Sequence, residues 1–143
     1  MLQLYKLRND DFIRRCRRMT LDAPAGKTQT MRQIVEKVIN SEAPRYYVTF
    51  EHAYRMLRRW RKGAFADDYD PLKIALWKEL ADKSDALIKE NPALCDYTAL
   101  GRILAFDKAS RFFISSNYAI RLMQKIIHEN RRNKYNHLRH HSH

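Results

Sequence analysis

The stretch Ala43-Pro-Arg-Tyr-Tyr-Val-Thr49 recurs 66 residues later as Ala109-Ser-Arg-Phe-Phe-Ile-Ser115, and this constrains the fold more than anything else in the chain. Between 43–57 and 109–123, four positions are identical and six are close chemical matches in one ungapped register. Two unrelated helical stretches would share only an apolar stripe. Here capping residues, arginines and paired aromatics coincide as well. Self-similarity at a fixed period marks repetition of one supersecondary unit. The chain is therefore predicted to be all-α with minor extended segments, a tandem duplication of a three-helix, helix-turn-helix-like unit. The first repeat covers 1–65, the second 66–134, and a flexible His-rich tail 135–143.

The contents of one unit follow from local rules. Thr30 is a good N-cap for a helix with Ile34, Val35, Val38 and Ile39 on one face. Pro44 marks its end, because the residue before a proline avoids helical backbone. Arg45-Tyr46-Tyr47-Val48 is aromatic and β-branched and favours extended backbone. Thr49 caps a further helix that buries Ala53, Met56, Leu57 and Trp60, and Gly63 stops it. In the second copy Asp96 falls where Thr30 stands, with Leu100 and Leu104 at the places of Ile34 and Val38. Upstream, a helix over about 3–20 buries Leu4, Phe12, Cys16 and Met19. A shift of two residues sets Leu4, Phe12, Met19 and Pro24 on Leu72, Leu80, Leu87 and Pro92 of a helix over about 71–90, with Pro71 near its first turn. Residues 63–70 link the copies. One ring of each aromatic pair is expected in the core, since neighbours on extended backbone face opposite ways. The two extended segments are candidates to pair as a small ribbon.

Charge excludes several classes of function. The chain of 143 residues carries a net charge of +12, unevenly placed. Residues 1–63 hold 15 Lys and Arg against 6 Asp and Glu, 64–96 hold 4 against 8, and 97–143 hold 9 against 2. Two basic blocks flanking an acidic middle attract polyanions. No apolar run approaches the ~20 residues needed to span a bilayer, and the amino-terminal stretch lacks a signal-peptide pattern. An intracellular, cytoplasmic location is expected, or a virion if the chain is phage-derived. Cys16 and Cys95 form no CxxC pair and are expected as buried free thiols.

No catalytic constellation emerges, so the chain is read as a non-enzyme without cofactor. Asp10-Asp11 and Asp67-Asp68-Asp70 suit helix capping or solvent. Gly26-Lys27-Thr28 lacks the upstream glycine of a phosphate loop. His137, His140, His141 and His143 have no cysteine or carboxylate beside them, so no metal site is assigned.

The basic helical faces are the candidate site. On the first helix Arg14, Arg15, Arg17 and Arg18 point away from Phe12, Cys16 and Met19, and four arginines in five residues suit phosphate contacts. Packing of Ala53, Met56, Leu57 and Trp60 leaves His52, Arg55, Arg58, Arg59 and Lys62 outside. In the second copy Asn117, Arg121, Gln124 and Lys125 are left outside, with Tyr118 and His128. Asn, Gln and Arg pair with base edges, while Lys and Arg suit phosphates. Arg45 and Arg111 share one slot of the repeat and are read as stacked on neighbouring aromatics or paired with a helix C-terminus, with a duplicated phosphate or base contact as the alternative. Arg55 and Arg121 share another, open to either a structural or a binding role.

Three small helices with a capped basic third helix resemble the helix-turn-helix class in architecture. The connection over 42–49 is longer than the usual 3–4 residue turn, which puts the recognition-helix assignment in question. Ala-Pro-Arg-Tyr-Tyr-Val-Thr, repeated as Ala-Ser-Arg-Phe-Phe-Ile-Ser, resembles small duplicated basic proteins of Bacteroidota and their mobile elements or phages. That resemblance implies a setting and names no site. The expected function is nucleic-acid binding, with duplex DNA favoured over RNA. The alternative is a structural or assembly protein of a virion or other nucleoprotein particle, acting through protein contacts or as a homo-oligomer. Neither a membrane nor a small-molecule substrate is expected as partner.

Overall fold

The computed structural model describes residues 3–21, 29–66 and 68–141, and places six helices among them. They are α1 (Leu4–Leu21), α2 (Met31–Ile39), α3 (Phe50–Arg61), α4 (Pro71–Glu90), α5 (Asp96–Phe106) and α6 (Ser116–His141). Pro24, Gly26-Lys27-Thr28, Asp67 and His143 lie outside the described residues.

Local chemistry explains most helix ends. Thr30 and Gln33 form a reciprocal capping box at α2: the Thr30 hydroxyl accepts from the Gln33 N–H, and the Gln33 side chain accepts from the Thr30 N–H. The Thr49 hydroxyl accepts from the His52 N–H at 3.3 Å. The Asp70 carboxylate accepts from the Leu72 N–H, with Pro71 at the first helical position of α4. Gly63 has a φ of +66°. There the Gly63 N–H donates to the Trp60 carbonyl and the Ala64 N–H to the Arg59 carbonyl, the pair of bonds of a Schellman stop.

Three expectations are corrected. The cap of α5 is Cys95, with Asp96 as the first helical residue, and the Thr98 hydroxyl accepts from the Cys95 N–H as Gln33 does at Thr30. The α2 and α5 buried positions then correspond at an offset of 65, pairing Val35 with Leu100 and Val38 with Ile103. The extended segments keep 66, because the second copy carries one extra residue between them. Cys95 is consequently exposed; only Cys16 is buried, and burial pushes its thiol up to about 11. The carboxy-terminal segment is helical rather than a loose tail: α6 runs unbroken to His141, since neither glycine nor proline occurs after Gly101.

The chain then departs from a helix-turn-helix. α3 packs on α4 and α5, while α2 packs on α1 and α6. The helix after each crossing segment thus packs away from the helix before it: α3 lies on α4 and α5, and α6 lies on α2 and meets α1 where Asn9 donates to Tyr118. One bundle is α1–α2–α6 and the second is α4–α5–α3. The ten residues from Asn40 to Thr49 carry the chain across instead of folding α3 back on α2, and their length, against the roughly 3–4 residues of a helix-turn-helix turn, is the physical reason. The two crossing segments meet at Ala43 and Ala109. Each donates its N–H to the other's carbonyl, at 2.9 and 3.0 Å, in an antiparallel bridge. Among the described residues this is the only such pairing, so the ribbon is reduced to a single rung.

Side chains seal the crossing. Ala43, Ala109, Tyr46 and Phe112 are buried, and the Phe112 ring meets Phe12 edge-on at 5.9 Å and lies parallel to Tyr47 at 6.2 Å. Tyr46 and Phe112 are the buried ring of their pairs, as expected. Buried positions of α1 and α4 correspond at an offset of 68: Phe12 with Leu80, Ile13 with Ala81, Cys16 with Ser84. All but Ser84 belong to one continuous apolar core that spans both bundles. No described helix is long and apolar enough to cross a membrane.

Candidate nucleic-acid interface

Burial of Phe12, Ile13 and Cys16 turns Arg14, Arg15, Arg17 and Arg18 outward, and all four are exposed. Arg14, Arg15 and Arg18 line a groove of about 290 Å³, whose other wall carries Glu42, Pro44 and Lys108. Its two carboxylates are engaged. Asp11 accepts the Tyr47 hydroxyl at 2.6 Å and lies 3.8 Å from Arg14, while Glu42 lies 3.6 Å from Lys108. Burial and the hydrogen bond to Asp11 hold the Tyr47 phenol well above its usual range, which keeps that bond intact at neutral pH. Cations outnumber carboxylates in the groove, so it presents positive charge to solvent.

The α3 residues divide. Arg55, Arg58 and Lys62 are exposed. Arg58 lies over the Tyr54 ring at 5.8 Å, a contact that leaves the rest of its guanidinium to water. Arg59 is committed to its own helix: it sits over Phe65 at 4.8 Å and donates to the Ala64 carbonyl at 3.1 Å, beside the negative end of the helix dipole. His52 is half-buried, with its ring edge-on to Trp77 at 5.5 Å and its Nδ1 3.0 Å from Arg55 Nη2. Burial, with Arg55 and Lys73 beside it, pushes the imidazole below its ordinary value, so His52 sits as a neutral ring.

Asn117, Arg121, Gln124 and Lys125 are exposed on α6 at helical spacing, forming one stripe. Tyr118 is exposed beside this stripe and also touches α1, accepting from Asn9 at 3.0 Å and lying under the Arg8 guanidinium at 5.4 Å. Helical continuation carries the stripe on from His128, already placed outside, to Arg132 and Tyr135, which the sequence pattern did not assign to it; all three are exposed. The signal for them was the absence of any helix breaker. At 26 residues, α6 is roughly 39 Å long.

The fold thus gathers the candidate residues into two groups. The α1 and α6 residues ride on the first bundle and the α3 residues on the second. Arg14, Arg15 and Arg18 come together in one groove, and His52 joins Arg55; Arg17 stands apart from the groove. Sequence reasoning missed a second cation cluster, in which Arg8, Arg45, Lys73 and Arg111 line one cavity between the crossing segments. The shared slot of Arg45 and Arg111 was the available signal. Arg111 lies over Phe113 at 5.1 Å, as the stacking expectation had it. Among the described residues no group of His, Cys, Asp and Glu is arranged to hold a metal ion. No family model, curated relative or solved structure matches the chain.

Proposed function

We propose that this chain is a non-enzymatic nucleic-acid-binding protein that engages duplex DNA through phosphate contacts on basic helical surfaces. The observation that carries the reading is the row of Arg14, Arg15, Arg17 and Arg18, all solvent-facing and three of them in a groove with Lys108. Solvent-facing arginines without buried partners release counterions when they meet phosphates, which gives affinity with little sequence preference. The exposed stripe of Asn117, Arg121, Gln124 and Lys125 suits an elongated polyanion. We further propose that the chain arose by duplication of a unit corresponding to 1–65 and 66–134, and that the third helices are exchanged between copies. The correspondence of buried positions, at offsets between 65 and 68, and the bridge between the like residues Ala43 and Ala109 support this.

Duplex DNA affinity is expected to fall steeply with salt. Changing Arg14, Arg15, Arg17 and Arg18 to Glu should lower it by about two orders of magnitude or more at moderate salt and flatten the salt slope. Fluorescence anisotropy against salt concentration tests this, and unchanged affinity in the variant sinks the reading. An assembly role is favoured by one observation: Ile127, Tyr135 and Leu138 are exposed on the projecting part of α6. A defined large oligomer by light scattering without nucleic acid would establish that alternative.

A further inference from the structure

The cavity between the two crossing segments has a chemistry of its own. Arg8, Arg45, Lys73 and Arg111 line it, and no carboxylate does. The carboxylates that touch its wall residues are already occupied: Asp11 by the Tyr47 hydroxyl, and Glu79 by the Tyr46 hydroxyl and by Ser110. Four cations converging without counter-charge repel one another, and a bound anion relieves that repulsion. The rest of the wall is mostly apolar and aromatic, including Leu72, Leu76 and Phe113, with the His52 imidazole among them.

Two features go beyond charge. Trp77 lines the cavity and is 2% exposed, and its indole Nε1 has no hydrogen-bond partner among the described residues. A buried N–H left unpaired is costly, and a ligand acceptor would satisfy it. Phe113 has a φ of +57°, a backbone region that a bulky side chain rarely adopts, and it stands in the same wall. Strain of this kind concentrates where side chains are aimed at ligands. The cavity volume is about 140 Å³. A cavity of about 150 Å³ takes one benzene-sized ring, so the space suits a single six-membered ring and not a fused pair.

We propose that this cavity binds a pyrimidine nucleotide, with its phosphate against Arg8, Arg45, Lys73 and Arg111, its ring among the apolar walls, and a ring carbonyl accepting from the Trp77 indole. The site goes beyond duplex binding, and it stands whether or not the exposed arginines hold DNA. The same chemistry is offered by a free nucleotide and by an unpaired pyrimidine in a strand.

Calorimetric titration of the full chain with thymidine 5′-monophosphate, adenosine 5′-monophosphate and inorganic phosphate tests the assignment. Thymidine 5′-monophosphate should bind most tightly, with a dissociation constant below about 1 mM. Arg45→Gln, an exposed change that leaves the core intact, should weaken it about ten-fold. Trp77→Phe, which keeps the packing but removes the donor, should weaken it about five-fold, provided that its thermal melt shows a folded protein. Arg102→Glu, on an exposed face of α5, should leave it unchanged. Absence of thymidine 5′-monophosphate binding up to about 10 mM, equal binding of the adenine nucleotide or of phosphate alone, or full affinity in Arg45→Gln would overturn the proposal. A short oligothymidylate that competes with the free nucleotide assigns the source to a strand, and one that does not assigns it to the free nucleotide; the pocket stands in either case.

Discussion

The two bundles are built from corresponding helices, yet they are fastened differently. In α4–α5–α3, Arg61 holds Asp96 through two nitrogens at 2.9 and 3.2 Å, reaches Asp85 at 2.7 Å, and shares Asp96 with the Ser84 hydroxyl at 2.8 Å. One side chain thereby ties α3 to both helices beneath it. In α1–α2–α6 the residue at the place of Arg61 is Ile127, which is 37% exposed. The position of Ser84 is taken by Cys16, and that of the cap Cys95 by Thr30. The second bundle is pinned by a polar clamp at the end of a short helix. The first has no such charged clamp, holding α6 by apolar contact and by the exposed Asn9–Tyr118 hydrogen bond, and lets its long helix run past the core. The two bundles therefore hold their third helix in two ways, and only the unclamped one leaves a helix end projecting.

The sharpest way to break this comparison is through the shared core. Phe12 and Leu80 occupy corresponding, fully buried positions. Phe12→Ala should cost about 3–5 kcal/mol and Leu80→Ala about 2–5 kcal/mol. Because one core spans both bundles, each variant should still unfold in a single urea transition; two separate transitions would mean that the bundles are independent.

Next in size is the clamp. Arg61→Gln is expected to cost about 1–2 kcal/mol, since the bonds are charge-assisted but about a third exposed. Its pH signature has a definite sign. The Arg61 guanidinium holds the Asp96 carboxyl below its usual range. Glu79 is lowered too: although burial opposes it, hydrogen bonds from Ser110 and Tyr46 and the Lys83 charge prevail. A carboxyl whose folded pKa is depressed stabilises the fold fully above its unfolded value, and that stability drains away as pH falls through the folded one. Denaturation midpoints should therefore drop below about pH 4, and less so in Arg61→Gln. An identical acid limb in the variant would show that Asp96 takes no part.

Smaller still is the reciprocal change. Ile127→Arg supplies the side chain without the acidic partners, because Met31 and Arg17 stand where the second bundle has Asp96 and Asp85. It should move stability by no more than about 0.5 kcal/mol. Ending the chain after His128 should likewise leave the melting temperature nearly unchanged, because residues 128–138 are exposed. The same truncation should reduce the salt slope of DNA binding, by up to about 0.9 for each phosphate that the shortened helix no longer neutralises. An unaltered slope would assign the projecting helix to another partner.

Much of the fold was legible in the residues. Thr30, Thr49, Pro71 and Gly63 mark helix ends by local chemistry, and local chemistry does not depend on what packs where. The apolar stripes of α1 and α4 located their buried faces. The packing of α3 on α4 and α5 was not legible, because a period of 66 is the same whether α3 folds back on α2 or crosses over. Only the length and extended character of 40–49 hinted at a crossing. The cap of α5 was misplaced by one residue because Asp96 is the better capping residue by type, whereas the fold uses its carboxylate for Arg61. Of the site, the outward arginines of α1 followed from periodicity. The cavity did not, since Arg8, Arg45, Lys73 and Arg111 come from four separate segments that meet only at the crossing.

The linker from Gly63 to Asp70 takes on a different meaning once α3 packs on α4 and α5 rather than back on α2. Two separate copies of such a unit would have to find each other by diffusion before either could complete its bundle, and their assembly would depend on concentration. Joined by a short tether, each half meets its partner at an effective concentration in the millimolar range or above, by the usual reach of flexible linkers. The Schellman stop at Gly63 therefore makes an obligate pairing first-order: it ends α3 where the chain must turn toward α4, and dilution cannot separate the two halves.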